Sequence, residues 1–141
     1  MIEWEYQLRI SLNENYAKKI RNLESNNKIN KLLDLLNNFD ARLVCQFDAF
    51  SEYVSEAEKN GIDSYPLYKW TKATIDDENK KNKYLKSFTI YINNQHIYQK
   101  DVADKLERKL LELKMEDSNI INIFKYDTNP NNNPQVPDQY K

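Results

Sequence analysis

The chain has 141 residues, 40% of them apolar and 30% charged, and a formal net charge of −1. That length allows one domain with a real core, while the near-balance of charge leaves no global field to draw the protein to nucleic acid or to a membrane. No apolar run is long enough to span a bilayer, and the opening MIEWEYQLR has neither the basic start nor the apolar centre of a signal peptide. Cys45 is the single cysteine, which excludes an internal disulfide and a cysteine-based metal site and fits a cytoplasmic setting.

Trp4, Tyr6, Leu8, Ile10 and Leu12 alternate with Glu3, Glu5, Gln7, Arg9 and Ser11. A period of two predicts a half-buried strand in a mostly antiparallel sheet with one wet face. Asn13 fits a helix cap, and Tyr16, Ala17, Ile20 and Leu23 follow at helical spacing. Ile29, Leu32, Leu33 and Leu36 resume that spacing on another side of the wheel, so a kink or turn is expected at residues 25–27.

Residues 40–60 form the strongest pattern. Leu43, Phe47, Phe50, Val54 and Ala57 make one helical stripe, widened by Val44 and Tyr53. Asp40 is placed to cap it, and Gly61 to end it in a left-handed residue. Leu43, Cys45, Phe47 and Ala49 also alternate as a strand would, but that template misplaces Val44 and Phe50, and the helix explains the longer window. Cys45 then reads as a small buried hydrophobe on the border of the apolar face.

Residues 65–75, rich in aromatic and β-branched side chains, predict a strand with Pro66 at its start or edge. Residues 76–86 read as a charged loop and 87–93 as a strand, with a tight turn at Asn93-Asn94 and a short returning partner at His96, Ile97 and Tyr98. Asp101 is placed to cap a helix whose stripe is Val102, Leu106, Leu110 and Leu113. Residues 119–126 carry apolar groups on both faces and predict a strand inside the sheet. Residues 127–141 hold three prolines and few apolar groups, and read as a flexible tail beside a single domain of residues 1–126, with Val136 and Tyr140 as its anchors.

Catalytic chemistry finds little foothold. His96 is the lone histidine and lies by a turn; Gly61 is the lone glycine, so no phosphate-cradling loop and no Gly-x-Ser-x-Gly elbow exist. Glu3 and Glu5 on one strand face resemble the opening strand of the triphosphate-tunnel family. That family has a lysine where this chain has Gln7, and no later strand here carries its inward Arg, Lys and Glu, so an outward polar face is the reading adopted. Lys80, Lys81, Lys83 and Lys86, with Tyr84 interleaved, are a group that could touch phosphate, but they adjoin Asp76, Asp77 and Glu78, which cancel much of their field, and a solvated loop is the reading adopted.

Two groups remain as candidates for contact with a partner. Asp48, Glu52 and Glu56 recur every fourth residue, and such like-charge pairs destabilise a helix by roughly 0.2–0.5 kcal/mol each. A ridge meant to meet a basic surface would look like this. Tyr68, Trp70 and Tyr91 are of the residue types that anchor interfaces. The expected fold is α+β: a mixed, mostly antiparallel sheet of four to five strands packed on a long central helix and two or three further helices. The expected function is non-catalytic protein binding, in its sharpest form a small bacterial inhibitor, immunity protein or antitoxin that occludes a basic partner, with no cofactor and no metal. Alternatives are a small carboxylate- or metal-dependent enzyme, with Asp76, Asp77 and Glu78 as the cation site, and an oligomeric phage-type accessory protein.

Overall fold

The alternating N-terminal stretch becomes β1 (Tyr6–Leu12), and its period of two decides the architecture. Leu8, Ile10 and Leu12 are buried on one face of a four-stranded sheet, while Gln7, Arg9 and Ser11 turn to the other. The computed structural model describes residues 4–24 and 26–140; the expectations resting on Glu3 and on Ser25 lie outside the described residues. The other strands are β2 (Ala41–Cys45), β3 (Ser87–Ile92) and β4 (Ile120–Asp127), in the order β2-β3-β1-β4. All three pairings are antiparallel, with Leu8 opposite both Ile90 and Lys125. β1 and β2 are therefore parallel to each other, which requires a crossover between them.

That crossover is α1 (Glu14–Arg21) followed by α2 (Asn27–Asn37), and α6 (Lys100–Glu116) makes the second crossover, from β3 to β4. The connectivity is a split β-α-β arrangement. Asn13 caps α1 through a 2.9 Å bond from the Tyr16 N–H, as expected, and Asn26 caps α2 in the same way through Ile29. Tyr16, Ala17, Ile29, Leu32 and Leu36 join Ala103, Leu106, Leu110 and Leu113 over the apolar sheet face, together with Phe88, Ile90 and Ile92 of β3. The fold is thus α+β, with its main core between the sheet and α1, α2 and α6.

Between β2 and β3 the chain inserts three helices: α3 (Gln46–Asn60), α4 (Tyr68–Asp76) and α5 (Glu78–Tyr84). Here several expectations need correction. The helix expected over residues 40–60 is divided. Asp40 adopts a positive φ of 54° and closes the turn after α2 instead of capping. Ala41, Leu43 and Cys45 then pair in register with Ile92, Ile90 and Phe88. A ladder to β3, whose Phe88, Ile90 and Ile92 are all buried on the core face, outcompetes the local helical spacing, and α3 begins only at Gln46. Its buried Val54 and Ala57 lie outside the main core cluster, which Phe47 alone of the α3 stripe joins as a partly buried neighbour. Gly61 ends α3 at φ 103°, where an L side chain would be strained.

Residues 65–75 do not form a strand. Pro66 precedes α4, which packs against α3, and tertiary packing overrides the β preference of its Tyr, Trp, Thr and Ile. Residues 76–86 are not a loop: Asp77 caps α5 by accepting from the N–H groups of Asn79 and Lys80. Asp101 sits in the first turn of α6 rather than capping it; the cap is Gln99, without a side-chain bond. β4 is an edge strand, not an interior one, and its two apolar faces arise because Phe124 and Ile121 remain exposed.

Asn93 and Asn94 both take positive φ, 52° and 64°, and make the expected tight turn after β3. The returning segment is reduced to single bridges, Gln95 to Ile92 and Tyr98 to Tyr6. Tyr98 adds a second function. Its buried hydroxyl accepts from the Leu8 N–H at 2.7 Å and donates to the Ile90 carbonyl at 3.0 Å, so it mediates the β1–β3 pairing at that point. Burial pushes its pKa up to about 12. Tyr98→Phe is expected to cost about 1–3 kcal/mol, because two buried backbone groups lose their shared partner. Chemical denaturation of the two proteins checks this.

Beyond Asp127 the backbone passes through short 3-10 turns at Pro130–Asn132 and Asp138–Tyr140. Asn132 and Asn133 donate to the side chain and carbonyl of Asp127. Among the described residues, no helix is long and apolar enough to cross a membrane.

Candidate functional site

The inserted helices carry most of the residues singled out in the sequence. Asp48, in the first turn of α3, is held by Arg21 of α1 through two guanidinium bonds of 3.0 and 2.8 Å. The bond from Arg21 keeps its carboxyl below the usual aspartate range. Asp48 is therefore a tie between the insertion and the crossover helices, and the ridge narrows to Glu52 and Glu56, both exposed. Glu56 accepts from the Tyr65 hydroxyl at 3.1 Å. The Tyr65 ring meets Tyr53 edge-on at 5.4 Å, and the Tyr53 hydroxyl accepts from the Leu67 N–H. Ile62 and Leu67, 44% and 42% exposed, sit at this same end of α3. Between Gln46 and Ser64 the chain sets Glu58 and Asp63 beside the three ridge acids against Lys59 alone. The result is an acidic helix end tipped with apolar and aromatic groups.

Tyr68 and Trp70 lie half-buried on α4, within the insertion. Tyr91 does not join them. It points from β3 to the far face of the sheet, under the Arg42 guanidinium at 4.8 Å. Asp76, Asp77 and Glu78 do not converge either: Asp76 pairs with Lys72 at 3.5 Å, and Asp77 is the α5 cap. Among the described residues no group of three or more His, Cys, Asp or Glu could hold a metal. Cys45 is buried against the carbonyls of Tyr84 and Leu85, and burial raises its pKa. His96 is exposed.

Tyr91 apart, the far face of the sheet is not singled out from the sequence. No core helix covers it. Arg9 lies at its centre with its guanidinium 4.6 Å from the Tyr126 ring centroid, steadied by a 2.7 Å bond from Nε to Gln7. Phe124, 39% exposed, stands next to Tyr126 with ring centroids 6.0 Å apart. α5 overhangs one end of this face and closes a cleft of about 810 Å³, to which Arg9, Phe124 and Tyr126 contribute from the sheet and Asn82, Lys83 and Lys86 from α5 and its exit. Lys83 and Lys86 belong to the basic run noted in the sequence, but local pattern hides Arg9, Phe124 and Tyr126: the alternation of β1 marks Arg9 only as solvated, and the apolar groups on both faces of β4 predict an interior strand, which would bury Phe124.

No protein-family model matches the chain, and neither a curated protein nor a solved structure shows significant similarity to it.

Proposed function

We propose that the protein is a non-catalytic binding module that docks a basic protein partner on the end of α3, as a small bacterial inhibitor of the immunity or antitoxin type would, by occlusion. The observation that carries this reading is the exposed pair Ile62 and Leu67 set beside Tyr53, Tyr65 and the exposed carboxylates Glu52 and Glu56 of α3. Exposed apolar groups rimmed by charge mark contact surfaces. The aromatic and aliphatic groups supply desolvated contact area, and Glu52 and Glu56 steer a cationic partner into register.

The test is capture from an extract of the native host on the immobilised chain, with wild type beside Glu52→Lys/Glu56→Lys and Leu67→Asp. The reading expects a basic protein to be retained by wild type, released by salt, and lost from both variants. Retention of the same proteins by all three chains would leave the end of α3 as ordinary wet surface.

A further inference from the structure

Arg9, Arg42, Lys83 and Lys86 gather on the far face of the sheet and along the cleft beside it, and among the described residues none of the four forms an ion pair. Arg9 and Arg42 instead lie over tyrosine rings on the uncovered sheet face, and Lys83 and Lys86 border the cleft from above it. Phe124 and Tyr126 lie side by side on the edge strand below, tilted 33° to each other. A face that only needed to be wet would be served by small polar or paired charged side chains. This one presents flat π-surfaces at its floor and cations at its rim, with Glu14 the one carboxylate among the residues that line the cleft.

That combination matches one ligand chemistry. Single-stranded nucleic acid offers bases that stack on aromatic rings or guanidinium planes, and a phosphate chain that pairs with lysine and arginine. A duplex cannot present its base faces, and an acidic polypeptide would use the cations without the rings. We propose that the cleft between the sheet and α5 binds a single-stranded polynucleotide, with bases on Phe124 and on the Tyr126–Arg9 stack and phosphates on Lys83 and Lys86. Asn82 and Asn122, which also line the cleft, are placed to donate to base edges or sugar oxygens. The site lies on another surface from the end of α3, so it stands or falls apart from the reading above. The net charge of −1 limits long-range attraction, so the affinity is set locally and is modest.

Fluorescence anisotropy of the full chain with labelled single-stranded oligouridine and oligothymidine tests this. The expected result is saturable binding in the micromolar range at low salt, with a duplex of the same length bound at least about tenfold more weakly. Uridine against thymidine distinguishes a ribonucleotide from a deoxyribonucleotide preference, and binding of either supports the site. Phe124→Ala should weaken binding by about tenfold through the loss of one stacking surface. Lys83→Gln/Lys86→Gln should reduce the slope of log affinity against log salt by about 1.4, near 0.7 for each phosphate contact. Phe124 is exposed on an edge strand and Lys83 is exposed on α5, and thermal melts by circular dichroism confirm that each variant folds. Absence of binding to both oligonucleotides overturns the proposal. So does equal binding by Phe124→Ala, or polyglutamate competing as well as oligouridine, since either result would reduce the cleft to a generic polyanion surface.

Discussion

Phe88→Ala is expected to destabilise the protein by about 3–5 kcal/mol, the cost of removing a fully buried aromatic ring from a packed core. Phe88 is 1% exposed on β3, one of the two interior strands, and lies opposite Ile10 of β1 and Cys45 of β2. Its ring therefore sits in the core cluster between the flanking strands β1 and β2, where a fully buried aromatic leaves a cavity if it is removed. Against a total stability of about 5–15 kcal/mol for a domain of this kind, that loss is a large fraction. Urea denaturation should show a lower midpoint with an unchanged slope. The comparison that gives the result meaning is Phe50→Ala on α3. Phe50 is half-buried and meets Tyr84 edge-on at 5.1 Å, within the insertion. It should cost no more than about 2 kcal/mol, because less surface returns to water. Equal costs would mean that the insertion and the sheet share a single core.

This contrast bears on what the sequence could reveal. The β1 alternation and the β3 run were legible because strand periodicity and burial agreed there, residue by residue. The α6 stripe was legible for the same reason, with Leu106, Leu110 and Leu113 all buried. The misreading at residues 41–45 has a specific cause. Leu43 suits both a helix stripe and a strand, and the choice between them is made by β3, whose Ile90 lies opposite but comes far later in the chain. Local pattern cannot weigh a partner that distant. α4 went the other way for a related reason: its composition favours a strand, yet its partner is the helix α3, against which it packs. α5 was detectable in principle. Asp77 followed by Glu78 is a helix-start signal, and it was obscured by the charge run behind it.

The candidate surfaces divide in the same manner. The acidic series on α3 was visible from spacing, but the Arg21 bonds that remove Asp48 from it cross from another helix. Arg9, Phe124 and Tyr126 come from two strands whose pairing brings Arg9 opposite Phe124, and the α5 residues facing them arrive through the insertion. Nothing local in any of those stretches announces a shared cleft. Lys125, by contrast, is a polar residue on the covered face of β4, and it is explained by α6: its ammonium reaches Asp104 at 2.6 Å and Glu107 at 3.1 Å. These bonds raise its pKa, and they anchor the edge strand to the crossover helix.

Asp117→Ala is expected to cost about 3 kcal/mol or more, and the loss should depend on pH. Asp117 follows α6 and is 4% exposed. One carboxylate oxygen accepts from the Tyr16 hydroxyl at 2.7 Å, and the other from the backbone and side-chain N–H groups of Asn119 at 3.0 and 2.8 Å. Asn119 in turn accepts from the side chain of Asn13, which caps α1. One carboxylate thus ties the start of α1, the end of α6 and the entry to β4. Hydrogen bonds to a charged acceptor contribute about 1.5–3 kcal/mol each, and removing the acceptor also leaves the Tyr16 hydroxyl buried and unpaired. Burial alone would raise the Asp117 pKa, but the bonds from Tyr16 and Asn119 more than offset it, so the folded value lies below the ordinary one near about 3.9. Its contribution is therefore complete above that value and is lost as pH falls through the folded pKa. Tyr16 behaves in the opposite sense. Burial, reinforced by Asp117, pushes its pKa up to about 12, so its contribution is complete below about 10 and is lost as pH rises towards 12. The stability gap between wild type and Asp117→Ala should be flat between about pH 5 and pH 9, and should narrow as pH falls through the lowered folded pKa of Asp117. Asp117→Asn keeps the shape but replaces the charge and one of the two acceptor oxygens by an NH2 donor, so the Tyr16 and Asn119 donors cannot all be served as before and only part of the loss should be recovered. Denaturation curves of the three proteins across that range decide the matter: a gap that persists undiminished at pH 3 would mean that Asp117 acts by packing and not as a charged acceptor.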